Sequence, residues 1–138
     1  MSVLWWKNMV MADANTMTRC IIGDDELKIR EFQNIRSTQR IIYTIEVVAE
    51  VVYVLTKVYN VSREDTSSAI LRFLKSRNIV CSNNEVTVNA LQLFAENHLD
   101  FVDNVLLAYH QLRGITIYSY DRKLMNAVSR IDSGKTES

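Results

Sequence analysis

The stretch MVMAD at residues 9–13 decides the expected fold, because a short apolar run ends there at an acidic residue. An apolar run without polar alternation predicts a strand buried on both faces. Further apolar runs occupy residues 41–43, 79–81 and 115–120, and the last of these also ends at an acid, Asp121. Stretches of helical length separate the runs. Short strands that alternate with helices predict an α/β domain with a parallel sheet covered on both faces.

Capping signals predict where the helices begin. Thr44 is a candidate N-cap for a helix over residues 45–59, and Ser62 opens a capping-box pattern for a helix that runs to about residue 77. Asp100 is a candidate cap for a helix over residues 101–113, which ends at a glycine. These boundaries leave only short connections, as expected for an α/β domain.

Composition excludes several classes of protein. The 138 residues carry 16 Lys and Arg against 16 Asp and Glu, with no proline and three glycines. With so few glycines, no glycine-rich phosphate loop can be drawn. The two cysteines form no C-x-x-C pair, and the two histidines are too few for an H-E-x-x-H motif or a histidine-rich metal site. No secretory signal or membrane span is apparent, which predicts a cytoplasmic protein. We expect an N-terminal extension over residues 1–8, one domain over 9–130 and a polar tail over 131–138.

Two acidic residues follow predicted strands. Asp13 comes after the first strand and Asp121 after the last. Ligands of parallel α/β sheets bind beyond the carboxyl ends of the strands, so both carboxylates are expected at the functional edge. The alternative is that each aspartate only caps the helix that follows it.

Two further acids lie within predicted helices. Glu50 has apolar neighbours on both sides in the sequence, which predicts partial burial; a salt bridge to an arginine or lysine is the alternative. Asp103 either faces inward or serves as an ordinary first-turn acid of its helix. Carboxylate oxygens without histidine or thiolate favour Mg²⁺ or Mn²⁺. Such a site suits metal-assisted hydrolysis of a phosphodiester.

Four segments together resemble the PIN-domain ribonucleases, especially the VapC-type toxins of prokaryotic toxin–antitoxin pairs. They are DAN at residues 13–15, VVAEVVYVL at 47–55, LDFVDN at 99–104 and SYDRKL at 119–124. The resemblance covers about residues 9–130. It implies a three-layer α/β/α sandwich with a central parallel sheet of about five short strands.

The resemblance also implies a metal-dependent endoribonuclease. The expected metal ligands and catalytic residues are Asp13, Glu50, Asp103 and Asp121. The cofactor, Mg²⁺ or Mn²⁺, would orient and deprotonate a water for in-line attack on an RNA phosphate, leaving a 5′-phosphate and a 3′-hydroxyl. Asn15 and Ser119 match polar positions beside the first and last acids and would hydrogen-bond ligands or water.

Three partners are implied by the same resemblance: an RNA substrate, a cognate antitoxin protein that inserts a segment into the acidic groove, and a second copy of the chain in a homodimer. Candidate contacts to RNA phosphates are Arg19, Arg40, Arg122 and Lys123. The alternative for these four is a solvated basic face.

Two other functions stay open from the sequence. A PIN-like domain could bind RNA or a protein without cutting, although the presence of all four acids speaks against this. A phosphatase of the haloacid-dehalogenase class would use Asp13 as a covalent nucleophile. That chemistry requires a downstream acidic pair after another strand, and the acids at residues 24–25 come too early for it.

Overall fold

The computed structural model describes residues 8–137, with side chains described as far as residue 134. These residues form three strands and seven α-helices in two compact units, the first ending at Asn84 and the second beginning at Glu85. The predicted N-terminal extension lies outside the described residues except for Asn8. No helix in the described range is both long and apolar enough to cross a bilayer.

A parallel sheet forms the centre of the first unit. Its strands are β1 (Met9–Met11), β2 (Arg40–Tyr43) and β3 (Ile79–Cys81), adjacent in that order and all parallel. The α/β class and the first three predicted strands are confirmed. Because the strands run in the same direction, Asp13 lies just beyond the carboxyl edge of the sheet.

Four helices complete the first unit: α1 (Ala14–Ile22), α2 (Glu26–Thr38), α3 (Ile45–Tyr53, continued by a π-helical segment over Val54–Val58) and α4 (Arg63–Leu74). The predicted caps are confirmed, since the side-chain oxygens of Thr44 and Ser62 accept hydrogen bonds from backbone N–H groups at 3.3 and 3.0 Å. Helix α1 packs against α2, α3 and α4. Met17 and Tyr43 have no exposed surface in the resulting core.

The second unit is helical, with α5 (Asn84–Glu96), α6 (Phe101–Arg113) and α7 (Arg122–Glu137). Its core is built from leucine, alanine and valine side chains of α6 and α7 together with Leu99. Helix α7 continues beyond residue 130, where the sequence predicts a polar tail. The physical reason is that Ile131 packs against this core and Asp132 lies 2.7 Å from the imidazole of His110.

Two strand predictions are corrected by the structure. Among the described residues the sheet has three strands rather than about five, and residues 115–120 form no strand. Ile117 packs into the core of the second unit, while Tyr118 and Tyr120 are 84% and 91% exposed. Alternating side chains favour a strand locally, but a strand also needs a hydrogen-bonded neighbour. β1 is not buried on both faces, because Met9 and Val10 are only partly buried and Met11 is 69% exposed.

The start of α6 is held by a buried amide network. Asn104 has no exposed surface, and its Nδ2 lies 3.1 to 3.2 Å from the carbonyl oxygens of Leu99 and Asp100 and from Oδ1 of Asn97. Asn97 donates in return to Oδ1 of Asn104. Asp100 occupies the N-cap position, but its carboxylate accepts no capping hydrogen bond, so the predicted side-chain cap is wrong. The two asparagines stabilise this turn instead.

Replacing Asn104 by alanine should therefore destabilise the second unit strongly. The change removes several buried hydrogen bonds, including those that join Asn104 to the side-chain amide of Asn97, at a cost of about 2–4 kcal/mol. We expect the Tm to fall by roughly 8 °C or more in thermal denaturation. The control is Asn126→Ala on the exposed face of α7, which should change the free energy of unfolding little. Equal Tm values for the two variants would contradict the assigned role.

Candidate functional site

Asp13 is held at the carboxyl edge of the sheet by a capping turn. Its Oδ1 accepts from the backbone N–H of Thr16 at 3.2 Å, and the Thr16 hydroxyl donates to the Asp13 carbonyl at 2.8 Å. The hydroxyl of Tyr43 lies 2.7 Å from that of Thr16, and burial raises the pKa of Tyr43, which keeps it a neutral donor. The predicted helix-cap role of Asp13 is confirmed. It does not exclude a ligand role, because the exposed carboxylate keeps its second oxygen.

Glu50 lies on the exposed face of α3, so the prediction of partial burial is wrong. Val48, Val51 and Val52 form the buried face of this helix. Tyr53, one turn after Glu50, is 62% exposed. Of the residues three or four positions away, which share a helix face with Glu50, Val47, Tyr53 and Val54 are apolar. None of the three is fully buried, so this apolar face does not bury Glu50. No ion pair to Glu50 forms among the described residues, so the predicted salt-bridge alternative is not observed either.

Asp103 and Asp121 lie close enough in the second unit for their charges to interact. Burial, followed by the negative charges of Asp100 and Asp121, raises the pKa of Asp103 above its usual value. Asp121 caps α7, since its Oδ1 accepts from the backbone N–H of Leu124 at 3.1 Å. The structure thus brings two of the four predicted acids together, with a third acid, Asp100, beside them.

The raised pKa of Asp103 predicts a pH-dependent stability. A carboxyl group whose pKa is higher in the folded than in the unfolded protein stabilises the fold least when it is ionised, so stability falls as pH rises from about 4. In the absence of divalent metal, Asp103→Asn should raise the Tm at pH 7 and have little effect near pH 3.5. Asp65→Asn, an exposed first-turn acid of α4, is the matched control. If the Asp103→Asn variant is less stable than wild type at pH 7, ionised Asp103 does not destabilise the fold and the prediction is wrong.

Two polar residues adjoin Asp13 and Asp121 in the sequence. Ser119 accepts from the backbone N–H of Asp121 at 2.9 Å, which fixes the turn that presents the Asp121 carboxylate. Asn15 is exposed in the first turn of α1, and its Oδ1 accepts from Arg19 Nε at 3.2 Å. Ser119 therefore supports a site acid directly, while Asn15 is tied to a nearby arginine.

The four candidate cations for phosphate binding differ in their surroundings. Arg19 is paired with the carboxylate of Asp24, which leaves its charge largely compensated. Arg40 begins β2 and lies at the amino end of the sheet, away from the edge that carries Asp13. Arg122 and Lys123 are exposed in the first turn of α7, directly after Asp121. Only these last two combine exposure with a position next to a predicted site acid.

The four candidate acids offer the type of ligand atom that hard cations such as Mg²⁺ and Mn²⁺ prefer. Asp13, Glu50, Asp103 and Asp121 supply carboxylate oxygens, and none of the four forms an ion pair with a lysine or arginine in the described part of the chain. The described residues contain no group of three His, Cys, Asp or Glu side chains close enough to hold a metal ion.

Three residues that contact or influence the candidate site residues were not identified from the sequence. Asp24 and Tyr59 both contact Arg19, and Asp100 contributes to the raised pKa of Asp103. The spacing of Asp100 and Asp103 on one helix could have indicated their proximity. No sequence pattern signals the contact of Tyr59 with Arg19, because the two residues are 40 positions apart.

Comparison with known proteins identifies the family. The PIN domain model matches residues 10–130, which is most of the chain. No curated protein and no solved structure matches the sequence. PIN domains are generally metal-dependent nucleases. The match and the parallel α/β architecture agree, and the chain belongs to the PIN domain family.

Proposed function

We propose that this protein is an endoribonuclease that depends on Mg²⁺ or Mn²⁺ and hydrolyses RNA phosphodiester bonds. The observation that carries the proposal is that none of the four family-motif acids is neutralised by a lysine or arginine in the described part of the chain. Unpaired carboxylates near one another are costly unless a cation joins them. Burial, together with the negative charges of Asp100 and Asp121, disfavours the ionised form of Asp103, which is an example of that cost.

In this proposal Asp13, Glu50, Asp103 and Asp121 together bind the cation. Asp13 and Asp121 each use one oxygen to cap a helix, which orients the second oxygen toward a ligand. The bound cation would supply a Lewis acid that activates water and stabilises charge on the phosphate. The same proposal includes the three-layer sandwich that the family resemblance implies.

Arg122 and Lys123 are the cations best placed to bind RNA phosphates. Basic residues in the first turn of a helix oppose its dipole, at a cost of about 0.3–1 kcal/mol each. Both are exposed and neither forms an ion pair among the described residues, so intrachain pairing does not account for their position. Each phosphate contact should add about 0.7 to the slope of log affinity against log salt for a single strand.

The biological setting is also part of the proposal. The protein is the toxin of a type II toxin–antitoxin pair, acts in the cytoplasm, and is inhibited by an antitoxin that inserts a segment into the acidic groove. It forms a homodimer. The family resemblance supports these statements. Sedimentation of the purified chain, alone and with the product of a neighbouring small reading frame, would test both associations.

The experiment that tests the activity is metal-dependent cleavage of a labelled single-stranded RNA. We expect cleavage with Mn²⁺ or Mg²⁺, none with EDTA, and recovery when the metal is restored. The products should carry a 5′-phosphate, which allows ligation to an adaptor without prior phosphorylation. RNA that is bound but remains intact with both metals would instead support a non-catalytic PIN-like binding domain.

A further inference from the structure

A cavity of about 300 Å³ lies directly beside Asp13, between helices α1 and α2. Asn15 and Arg19 contribute to its α1 wall, and Ile29 and Phe32 to its α2 wall. Its volume is at the small end of the range for ligand sites, which leaves room for one compact group rather than a stretch of polymer. The cavity (the Asp13 cavity) belongs entirely to the first unit.

Arg19 forms a rigid wall of the Asp13 cavity. Its Nε donates to Asn15 Oδ1 at 3.2 Å, and one terminal nitrogen donates to the carboxylate of Asp24 and to the hydroxyl of Tyr59, the latter at 3.4 Å. A guanidinium held by three partners presents a fixed plane that can stack on a flat ring. Because Asp24 already compensates its charge, stacking suits Arg19 better than phosphate binding does.

The two cations that line the Asp13 cavity are already paired, Arg19 with Asp24 and Lys28 with Asp25. The cavity therefore lacks the excess positive charge of a phosphate site. A flat ligand with hydrogen-bonding edges suits it better, because apolar side chains such as Ile29 and Phe32 can contact the faces of the ligand. Nucleobases have these properties.

We propose that the Asp13 cavity binds the nucleobase next to the phosphate that is cut, with the Arg19 guanidinium stacked on the base. The inference rests on the proposed ribonuclease function and adds to it a source of sequence preference. The side-chain amide of Asn15 donates to the edge of the base, since its carbonyl is occupied by Arg19. Asp24 and Tyr59 are positioning residues that hold the guanidinium.

Binding can be tested without cleavage. Nucleosides (adenosine, guanosine, cytidine and uridine) are titrated into the Asp13→Asn chain while the NMR signals of Arg19 Nε–H and the Ile29 methyl groups are followed. We expect at least one nucleoside to shift both signals in a saturable way. Arg19→Ala and Arg19→Lys should each weaken this binding by roughly tenfold, because neither alanine nor lysine has a planar guanidinium that can stack on the base. Arg30→Ala, an exposed arginine elsewhere on α2, should not.

A second readout is the sequence preference of cleavage. On a randomised single-stranded RNA, Asp24→Ala should flatten the wild-type preference at the position next to the cut, because the guanidinium is no longer held. The proposal is overturned if no nucleoside shifts the signals, if Arg19→Lys binds as well as wild type, or if a basic peptide alone occupies the cavity. Nucleoside binding by a chain that cuts no RNA would support the cavity and reject the ribonuclease function.

Discussion

Replacing Asp13 or Asp121 by asparagine will lower the rate of RNA cleavage by roughly 1,000-fold or more. Loss of a negative ligand removes several kcal/mol of stabilisation of the transition-state charge, and each 1.36 kcal/mol is worth about tenfold in rate. Asparagine caps helices as well as aspartate does, so both variants should keep their folds. The measurement is single-turnover cleavage of a labelled RNA at saturating Mn²⁺.

The matched control for these variants is Asp25→Asn. Asp25 caps α2 through the backbone N–H of Lys28 at 3.1 Å, in the same way that Asp13 caps α1, but it has no place in the proposed site. Asp25→Asn should therefore cut at the wild-type rate. If Asp13→Asn and Asp121→Asn cut as fast as this control, the assignment of the site is wrong.

Under the proposed toxin function, substituting Glu50 by alanine will relieve the growth defect that is expected when the protein is produced without an antitoxin. Glu50 is exposed on α3, and alanine is a better helix former, so the free energy of unfolding should change little. The loss of one metal ligand is expected to reduce cleavage by roughly 100-fold or more. Growth after induction, together with the amount of protein in the cells, is the measurement.

Glu46→Ala is the matched control for the growth experiment. Glu46 is also exposed on α3, one turn before Glu50, and suits the helix dipole near the first turn. Glu46→Ala should remain toxic. Equal toxicity of the two variants, at equal protein levels, would show that catalysis at Glu50 is not the cause of the defect.

Much of the secondary structure could be predicted because its signals are local. The caps at Thr44 and Ser62 and the glycine at residue 114 fix helix ends through contacts within a few residues. Gly114 adopts φ 68°, a conformation that few other residues accept at low cost. Short apolar runs likewise marked the three strands of the sheet.

The errors concern properties that depend on distant parts of the chain. Residues 115–120 have the alternation of a strand, but alternation does not specify which strand would pair with them. The exposure of Glu50 depends on which face of α3 packs inward, and Val48 and Val51 decide that through contacts with other elements. Helix α7 extends past residue 130 because of His110, which lies 22 positions before Asp132.

The positions of Asp13 and Asp121 at helix starts could be predicted, whereas the environment of the candidate acids could not. Asp13 and Asp121 were identified because they follow apolar runs, and both lie at helix starts as expected. The raised pKa of Asp103 and the ion pair between Arg19 and Asp24 depend on side-chain positions, which the spacing of residues in the sequence does not specify. These contacts determine which groups are neutralised and which are left to bind a cation.

The most direct test of the proposed metal centre is a crystal structure of the full chain grown with Mn²⁺, with the ion located by anomalous scattering. We predict one or more ions bound by carboxylate oxygens from Asp13, Glu50, Asp103 and Asp121, at about 2.2 Å. Electron density that places these acids on separate surfaces, each paired with its own arginine or lysine and without an ion, would contradict the account.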